Sequence, residues 1–295
     1  MHWPSVLLYT CSSFMIIIFN KIVLTAFSFT SVPFIMLMQS LFSVFVLFPH
    51  WPYVQSPSED VIVAALFNVC NIFFGLSSAA ALNVAMFTAL RRVSILMTMV
   101  VQQYLLSSVV RRDVTCSVVV MIFGSMVAAA NDMTFSPGGY ACVMTHNFLT
   151  AAAQVQAKKA LSSGSATKST LLFWTSILTI FASSLSLTQW NPASFKAWDQ
   201  TAFQLAFLFS VILGFAINYG ATWTLERNDA LTLAVAGSTK SAIMGILTLT
   251  GLFDTTHVFS MWNFVGLQIS TFGSFLYVYF KHQSVRTLEK SIVVV

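Results

Sequence analysis

Charge is what this sequence has least of. Asp, Glu, Lys and Arg make up 8% of its residues, against roughly 25% in soluble globular chains. So little charge cannot coat a water-exposed surface, and a soluble globular fold is excluded. Mean hydropathy is +0.81, and the bilayer is the solvent that makes such a composition stable. Acidic side chains are scarcest, nine in all, and none falls well inside an apolar run. Cysteine is sparse too, with no CxxC and no His/Cys cluster, which argues against a metal site or a disulfide framework. Cys11, Cys70, Cys116 and Cys142 all lie in apolar runs and read as small buried hydrophobes. GxxxxGK[ST], HExxH and GxSxG are missing, so ATP-driven pumping, zinc hydrolysis and serine hydrolysis are disfavoured. His146 has no carboxylate neighbour in sequence and reads as a packed or hydrogen-bonded ring. No enzyme activity and no cofactor are expected. The net charge of +5 comes from basic residues scattered over short loops, which does not suit nucleic acid.

What is present is a series of apolar runs of about 20 residues, the length a helix needs to cross the hydrocarbon core. Short alternating strands, the mark of a membrane barrel, are absent. The expected class is therefore all-α, a polytopic integral membrane protein. Ten spans are expected, near 5–25, 31–49, 61–81, 85–108, 114–131, 138–156, 170–188, 202–222, 230–252 and 258–280. The first run, Val6–Leu24, lacks a basic leader and a small-residue cleavage site, so it reads as a retained span. With a cytosolic N-terminus, Arg111, Arg112, Lys158, Lys159, Lys168, Arg227, Lys281, Arg286 and Lys290 fall on the cytosolic side. Lys196 falls opposite, with Lys21 at the end of the first span. That asymmetry places both termini in the cytosol. A faint internal repeat supports the count: Ala81–Leu82 precede Arg91 by the spacing at which Ala230–Leu231 precede Lys240. Five helices per copy is odd, so the copies are inverted, as in secondary transporters. The expected divisions are 1–132, 133–281 and a cytosolic tail at 282–295.

Three cations, Arg91, Arg92 and Lys240, fall inside spans 4 and 9. An intramembrane charge costs at least about 2.5–3.5 kcal/mol on insertion scales. Without an acidic partner in the spans, the expected counter-ion is an anionic ligand. A diphosphate offers charge and acceptor oxygens that suit arginine's fork and lysine's point charge. Neighbours on a helix point about 100° apart, so Arg91 and Arg92 do not face one cavity equally. Arg91, the repeat mate of Lys240, is the preferred cavity residue. Arg92 is open to a structural bond with backbone carbonyls or an interfacial position. Ala234, Ala236, Gly237 and Ser238 before Lys240, and Gly245 after it, admit either a ligand or a close helix. Asn218, Tyr219, Asn68, Asn71 and Gln39 are candidates for a base or sugar, or for bonds between helices. The phenylalanines read as packing or lipid-facing residues.

The stretch from Leu82 through Arg91 and Arg92 to Leu96 closely resembles the span-4 motif of Golgi and ER nucleotide-sugar transporters of the drug/metabolite transporter superfamily. Asn20–Lys21 with Leu24–Thr25, Asn228–Thr232 leading to Gly237–Lys240, and Trp262–Leu267 resemble the same family. The likeness covers nearly the whole chain. It is nearest to the branch carrying UDP-glucuronic acid, UDP-N-acetylglucosamine and UDP-N-acetylgalactosamine. It implies a ten-helix inverted-repeat antiporter that takes a nucleotide sugar into the lumen and returns the nucleoside monophosphate. It also implies that Arg91 and Lys240 contact phosphates. The candidate ligand set is Arg91, Arg92, Lys240, Thr88, Gly237, Ser238, Thr239, Ser241, Asn218, Tyr219, Asn68 and Asn71. Golgi membrane is the expected location, with the ER open. The expected partners are the nucleotide sugar, the monophosphate and membrane lipids; a homodimer is admitted. GDP-mannose carriers have FYNN in span 7 and GALNK in span 9. Here those places read Phe173–Trp174–Thr175–Ser176 and Gly237–Ser238–Thr239–Lys240–Ser241. The guanine-reading asparagines are missing, which disfavours GDP-mannose or GDP-fucose. The UDP branch usually has asparagine after the lysine, so Ser241 puts the sugar in question. A phosphorylated-metabolite carrier and a non-transporting scaffold for trafficking partners are the competing readings.

Overall fold

The computed structural model describes residues 2–29, 31–49, 54–81, 87, 90–108, 110–129, 137–187, 195, 197–238 and 261–293. Among them there are helices and no strands. They are α1 (Trp3–Lys21), α2 (Val32–Leu47), α3 (Glu59–Ala81), α4 (Val93–Leu106), α5 (Arg112–Ala129), α6 (Pro137–Ser162), α7 (Lys168–Ser186), α8 (Thr201–Arg227), α9 (230–238) and α10 (Met261–Val293). Among the described residues three segments are long and apolar enough to cross a membrane, Trp3–Leu24, Lys168–Ser186 and Thr201–Arg227. Phe45, Phe73, Phe123, Phe181 and Phe275 point outward and are exposed. That arrangement suits lipid, because a soluble monomer rarely leaves so many large apolar groups uncovered.

Local chemistry sets several boundaries. Ser31 caps α2 by accepting from the Phe34 amide at 3.4 Å, and Pro33 fills the first turn, where a missing N–H costs nothing. Thr167 caps α7 in the same way, at 3.2 Å from the Thr170 amide. Ser107 leaves α4 in the left-handed region, φ 48°, a common helix ending. Gly164, φ 71°, turns the chain between α6 and α7, where an L side chain would be strained. Directly after Asn20–Lys21, α1 passes into a π turn over Ile22–Ala26. The last helix runs on past the expected end at 280 to Val293. Lys281–Val293 holds neither proline nor glycine, so nothing in the chain stops it.

The cysteines are unpaired, yet Cys11, Cys70 and Cys116 are exposed and only Cys142 is half-buried. The expectation of burial therefore fails. An apolar thiol is equally at home on a lipid-facing surface, and hydrophobicity alone does not tell lipid from core.

The chain packs as two compact units, 70–155 with 228–295, and 2–69 with 156–227. Each unit takes segments from both halves of the sequence, and α3 and α6 each contribute to both. In the unit of 2–69 and 156–227, α1 and α2 pack on α8 and α2 packs on α7. Its core holds Val23, Phe29, Ile35, Phe203 and Ala206. Phe29 sits among Phe195, Trp198 and Phe203, its ring centroid 4.9 Å from that of Phe195. Gln39 donates through Nε2 to the carbonyl and hydroxyl of Ser210, each at 3.2 Å. The Ser210 hydroxyl in turn donates to Asn20. A Cβ at Gly214 would lie 2.5 Å from the Gln39 side chain, so the glycine makes room for this bridge. Gln39 thus follows the interhelical alternative.

In the unit of 70–155 and 228–295, α5 lies along α10. Gly124 and Gly266 let the two backbones approach. Ile95 and Met99 of α4 share one apolar core with Val118 and Met121 of α5, Leu231 and Val235 of α9, and Tyr277 of α10. Thr232 bonds the Tyr277 hydroxyl at 3.0 Å, and Asp229 pairs with Lys281.

Candidate functional site

Span 4 is not one continuous helix. Leu90 and Arg91 are helical, Arg92 is a turn residue, and α4 begins at Val93. The Ile95 amide bonds the Arg92 carbonyl at 3.0 Å, a three-residue step in place of four. Neither proline nor glycine lies between Ala89 and Ser94. Beside the break the Asn147 side chain of α6 donates through Nδ2 to the Leu90 carbonyl at 2.8 Å. A side chain that enters the backbone ladder is a recognised source of a kink.

The two arginines diverge at this break. Arg91 is exposed, with its guanidinium carbon 5.6 Å above the Phe87 ring. Arg92 is 5% exposed. Its Nη2 is buried and has no hydrogen-bond partner among the described residues. The structural role open to Arg92, a bond to backbone carbonyls, is not made by that nitrogen. A buried cation left unpaired is costly, and each such group in a native fold calls for an explanation.

Around the break lies a polar patch of which sequence reasoning named Asn71 and His146 but not Asn147 or Thr150. His146 approaches the Asn71 carbonyl through Nδ1 at 2.9 Å, which requires the proton on Nδ1 and leaves Nε2 as an acceptor in the neutral ring. Nε2 is buried and unpartnered among the described residues. The His146 ring lies against Gly75, where a Cβ would sit 2.8 Å from Cε1, and near-parallel to Phe87 at 6.3 Å. Thr150 donates to Asn71 Oδ1 at 2.7 Å. Asn71 therefore bonds α6. The available signal was the polar group Thr145–His146–Asn147 within an otherwise apolar helix, with Thr150 one turn on.

The second cation-bearing span enters the same unit. Gln102 of α4 accepts from the Leu231 amide at 3.0 Å and so caps α9. α4 and α5 are joined by a short turn and run antiparallel. α5 is antiparallel to α10, since Met121 meets Gly273 and Ala128 meets Gly266. α10 is antiparallel to α9, since Tyr277 meets Thr232 and Lys281 meets Asp229. α4 and α9 therefore run antiparallel. Seven residues back from Gln102 is Ile95, and seven on from Leu231 is Ser238; each step is about 10 Å. Ser238 thus stands level with Ile95, about one turn from Arg92. Gly237 and Ser238 are half-buried, and the Ser238 hydroxyl donates to the Val235 carbonyl at 2.8 Å. Thr88, Thr239, Lys240 and Ser241 lie outside the described residues.

The other candidates belong to the second unit. Asn218 is exposed and Asn68 half-buried. Tyr219 lies between Phe215 and Trp223 on α8, its ring tilted against both, with the Lys168 ammonium 5.5 Å from its ring centroid. Lys168 also lies 3.5 Å from Glu226.

Comparison with known proteins agrees with this architecture. The UDP-sugar transporter UST74c of Drosophila melanogaster is 34% identical over 97% of this chain and 79% of its own length. The UDP-sugar transporter sqv-7 of Caenorhabditis elegans is 32% identical over 96% of this chain and 90% of its own. The human nucleotide sugar transporter SLC35D2 is 30% identical over 92% and 84%. A solved crystal structure superposes with a TM-score of 0.67 at 15% identity, covering 96% of this chain and 99% of that one, which speaks for the fold alone. A family model described as the Triose-phosphate Transporter family matches residues 5–278, and the chain belongs to that family of transporters.

Proposed function

We propose that this chain carries a nucleotide sugar, with a UDP-sugar as the substrate, in exchange for the nucleoside monophosphate. The observation that carries the reading is Nη2 of Arg92, buried beside Arg91 and without a partner among the described residues. A nucleotide supplies the missing negative charge and several acceptor oxygens, and arginine is the side chain best shaped to hold them. The named relatives support the substrate class, since UST74c and sqv-7 are UDP-sugar transporters. Ser238 stands about one turn from the level of Arg92, and Lys240 follows Ser238 by two residues in the sequence. Both cation-bearing spans thereby serve one ligand.

The fuller proposal has ten spans in two inverted repeats, both termini in the cytosol and a Golgi membrane location. Lys158, Lys159 and Lys168 at the ends of α6 and α7 are the basic residues that orient it. Alternating access lets the ligand neutralise the intramembrane cations and so lowers the cost of the occluded state, and the loaded carrier crosses faster than the empty one.

The test is counter-flow in proteoliposomes holding the purified chain, preloaded with UMP or GMP and offered labelled UDP- and GDP-sugars. Uptake is expected with UMP inside. Uptake with GMP alone would show that guanine is the base. Absence of uptake with either, together with uptake of a labelled triose phosphate, would replace nucleotide sugars by smaller phosphorylated metabolites. In the same assay Lys240→Ala is expected to abolish exchange while the protein still purifies as a folded species. Normal exchange by that variant would remove Lys240 from the site.

A further inference from the structure

A buried asparagine that serves only to join two helices has both ends of its amide paired, because an unpaired buried polar atom costs about 1–3 kcal/mol. Asn147 does not fit that description. It is fully buried at 0% exposure. Its Nδ2 is bound to the Leu90 carbonyl at 2.8 Å, while its Oδ1 has no partner among the described residues. The Arg92 guanidinium, two residues beyond Leu90, likewise has a buried nitrogen without a partner among the described residues. An orphaned acceptor and an orphaned donor thus lie on either side of one hydrogen bond, and they do not pair with each other.

We infer that Asn147 is a positioning residue for the anion site: through the Leu90 carbonyl it holds the break in span 4 that turns the Arg92 guanidinium toward a ligand phosphate. This rests on the anionic-ligand reading given above. The physical sequence is short. In a continuous helix the Ile95 amide would bond the Arg91 carbonyl; here it bonds the Arg92 carbonyl at 3.0 Å. Arg92 takes the N-cap position of α4, with no side-chain cap. Arg92 keeps helical dihedrals, φ −69° and ψ −20°, so the three-residue step tightens the turn here, and the heading of its side chain shifts from that of a regular helix, in which adjacent residues diverge by about 100°. Loss of the Asn147 amide releases the Leu90 carbonyl to the backbone ladder, and the regular helix turns Arg92 away from its present course. The fold around α6 has its own anchors, His146 to the Asn71 carbonyl and Thr150 to Asn71 Oδ1. They hold α6 against α3 when Asn147 changes.

The test separates phosphate recognition from general damage. Asn147→Leu keeps the volume and removes the donor; Asn147→Ala serves as a second variant if the first does not fold; Asn147→Gln keeps a donor. Inhibition of counter-flow would be measured for UMP, GMP, pyrophosphate, triose phosphate and uridine. Affinity for whichever phosphate-bearing ligand the natural chain binds is expected to fall about tenfold in Asn147→Leu, the worth of one hydrogen bond. Uridine inhibition is expected to stay unchanged, and Asn147→Gln to recover part of the loss. Combined with Arg92→Met, Asn147→Leu is expected to add little, because residues that act as a unit are not additive. Equal losses for uridine and UMP, or full additivity with Arg92→Met, would overturn the positioning role while leaving the nucleotide reading intact. Binding of triose phosphate with the expected pattern, and of no nucleotide, would retain Asn147 and replace the substrate. A natural chain that binds none of the phosphates would overturn both.

Discussion

Arg92→Met is expected to make the empty carrier more stable and the working carrier much worse. The guanidinium is 5% exposed with a buried nitrogen that nothing among the described residues receives. Methionine is unbranched and adaptable enough to fill the same channel through the packing. Replacing buried charges by apolar groups of similar size has stabilised folds by about 1–4 kcal/mol, and a gain on that order is expected here. The ligand loses a charge-assisted hydrogen bond of about 1.5–3 kcal/mol, so exchange falls roughly tenfold to a hundredfold. Thermal unfolding of the purified protein with and without UMP reads both effects, since a ligand that binds the folded state raises its melting point. A variant that melts lower than the natural chain, yet is still stabilised by UMP to the same degree, contradicts the assignment. Strain kept for function rather than stability is the pattern at many active sites.

The largest purely structural effect is expected at the crossing of α5 and α10. A side chain at Gly266 presses on the Ala128 amide and the Gly124 carbonyl, and one at Gly124 lies 2.6 Å from the Gly266 carbonyl. The obstacles are backbone atoms, which have no rotamer to move into. Overpacking usually costs about 1–3 kcal/mol and sometimes more; with no soft neighbour, Gly266→Val is expected at or above the upper end. Gly138→Ala is the control, because nothing lies within 4 Å of its Cβ position, and a change within about 0.5 kcal/mol is expected. Gel filtration of detergent extracts and a melting curve compare the two. Equal behaviour of both variants would show that the glycine contact does not support the fold.

Much of this helical framework was legible because the bilayer imposes a simple rule: a run of about 20 apolar residues must become a helix. α1, α3, α7 and α8 follow from that rule alone. The extension of α10 was missed because the apolar run ends near Phe280 whereas the helix has no reason to end there. The break at Arg92 was illegible because the side chain bound beside it, Asn147, lies 55 residues further along the chain. For the same reason the preference for Arg91 over Arg92 came from the repeat alone. In the structure Arg92 is the buried arginine and Arg91 the exposed one. His146 read as a packed or hydrogen-bonded ring, and it bonds the Asn71 carbonyl; Gly75 drew no attention, because it has no meaning until α3 and α6 are set side by side. Packing units were the least legible feature. Sequence boundaries are sought in loops, whereas here they cut through α3 near residue 70 and α6 near residue 155.

The unbroken course of α10 has a dimensional consequence. Its 33 residues make a rod of about 50 Å at 1.5 Å per residue, against a hydrocarbon core of about 30 Å. Even tilted by 40°, near the limit for membrane helices, such a rod reaches about 38 Å along the bilayer normal. No placement hides it. If α10 is the tenth span proposed above, part of the helix must stand in the headgroup layer or beyond, as a stalk that extends the span without a joint. A fluorophore attached near Val293, at the end of the rod, would report the tilt of the helix.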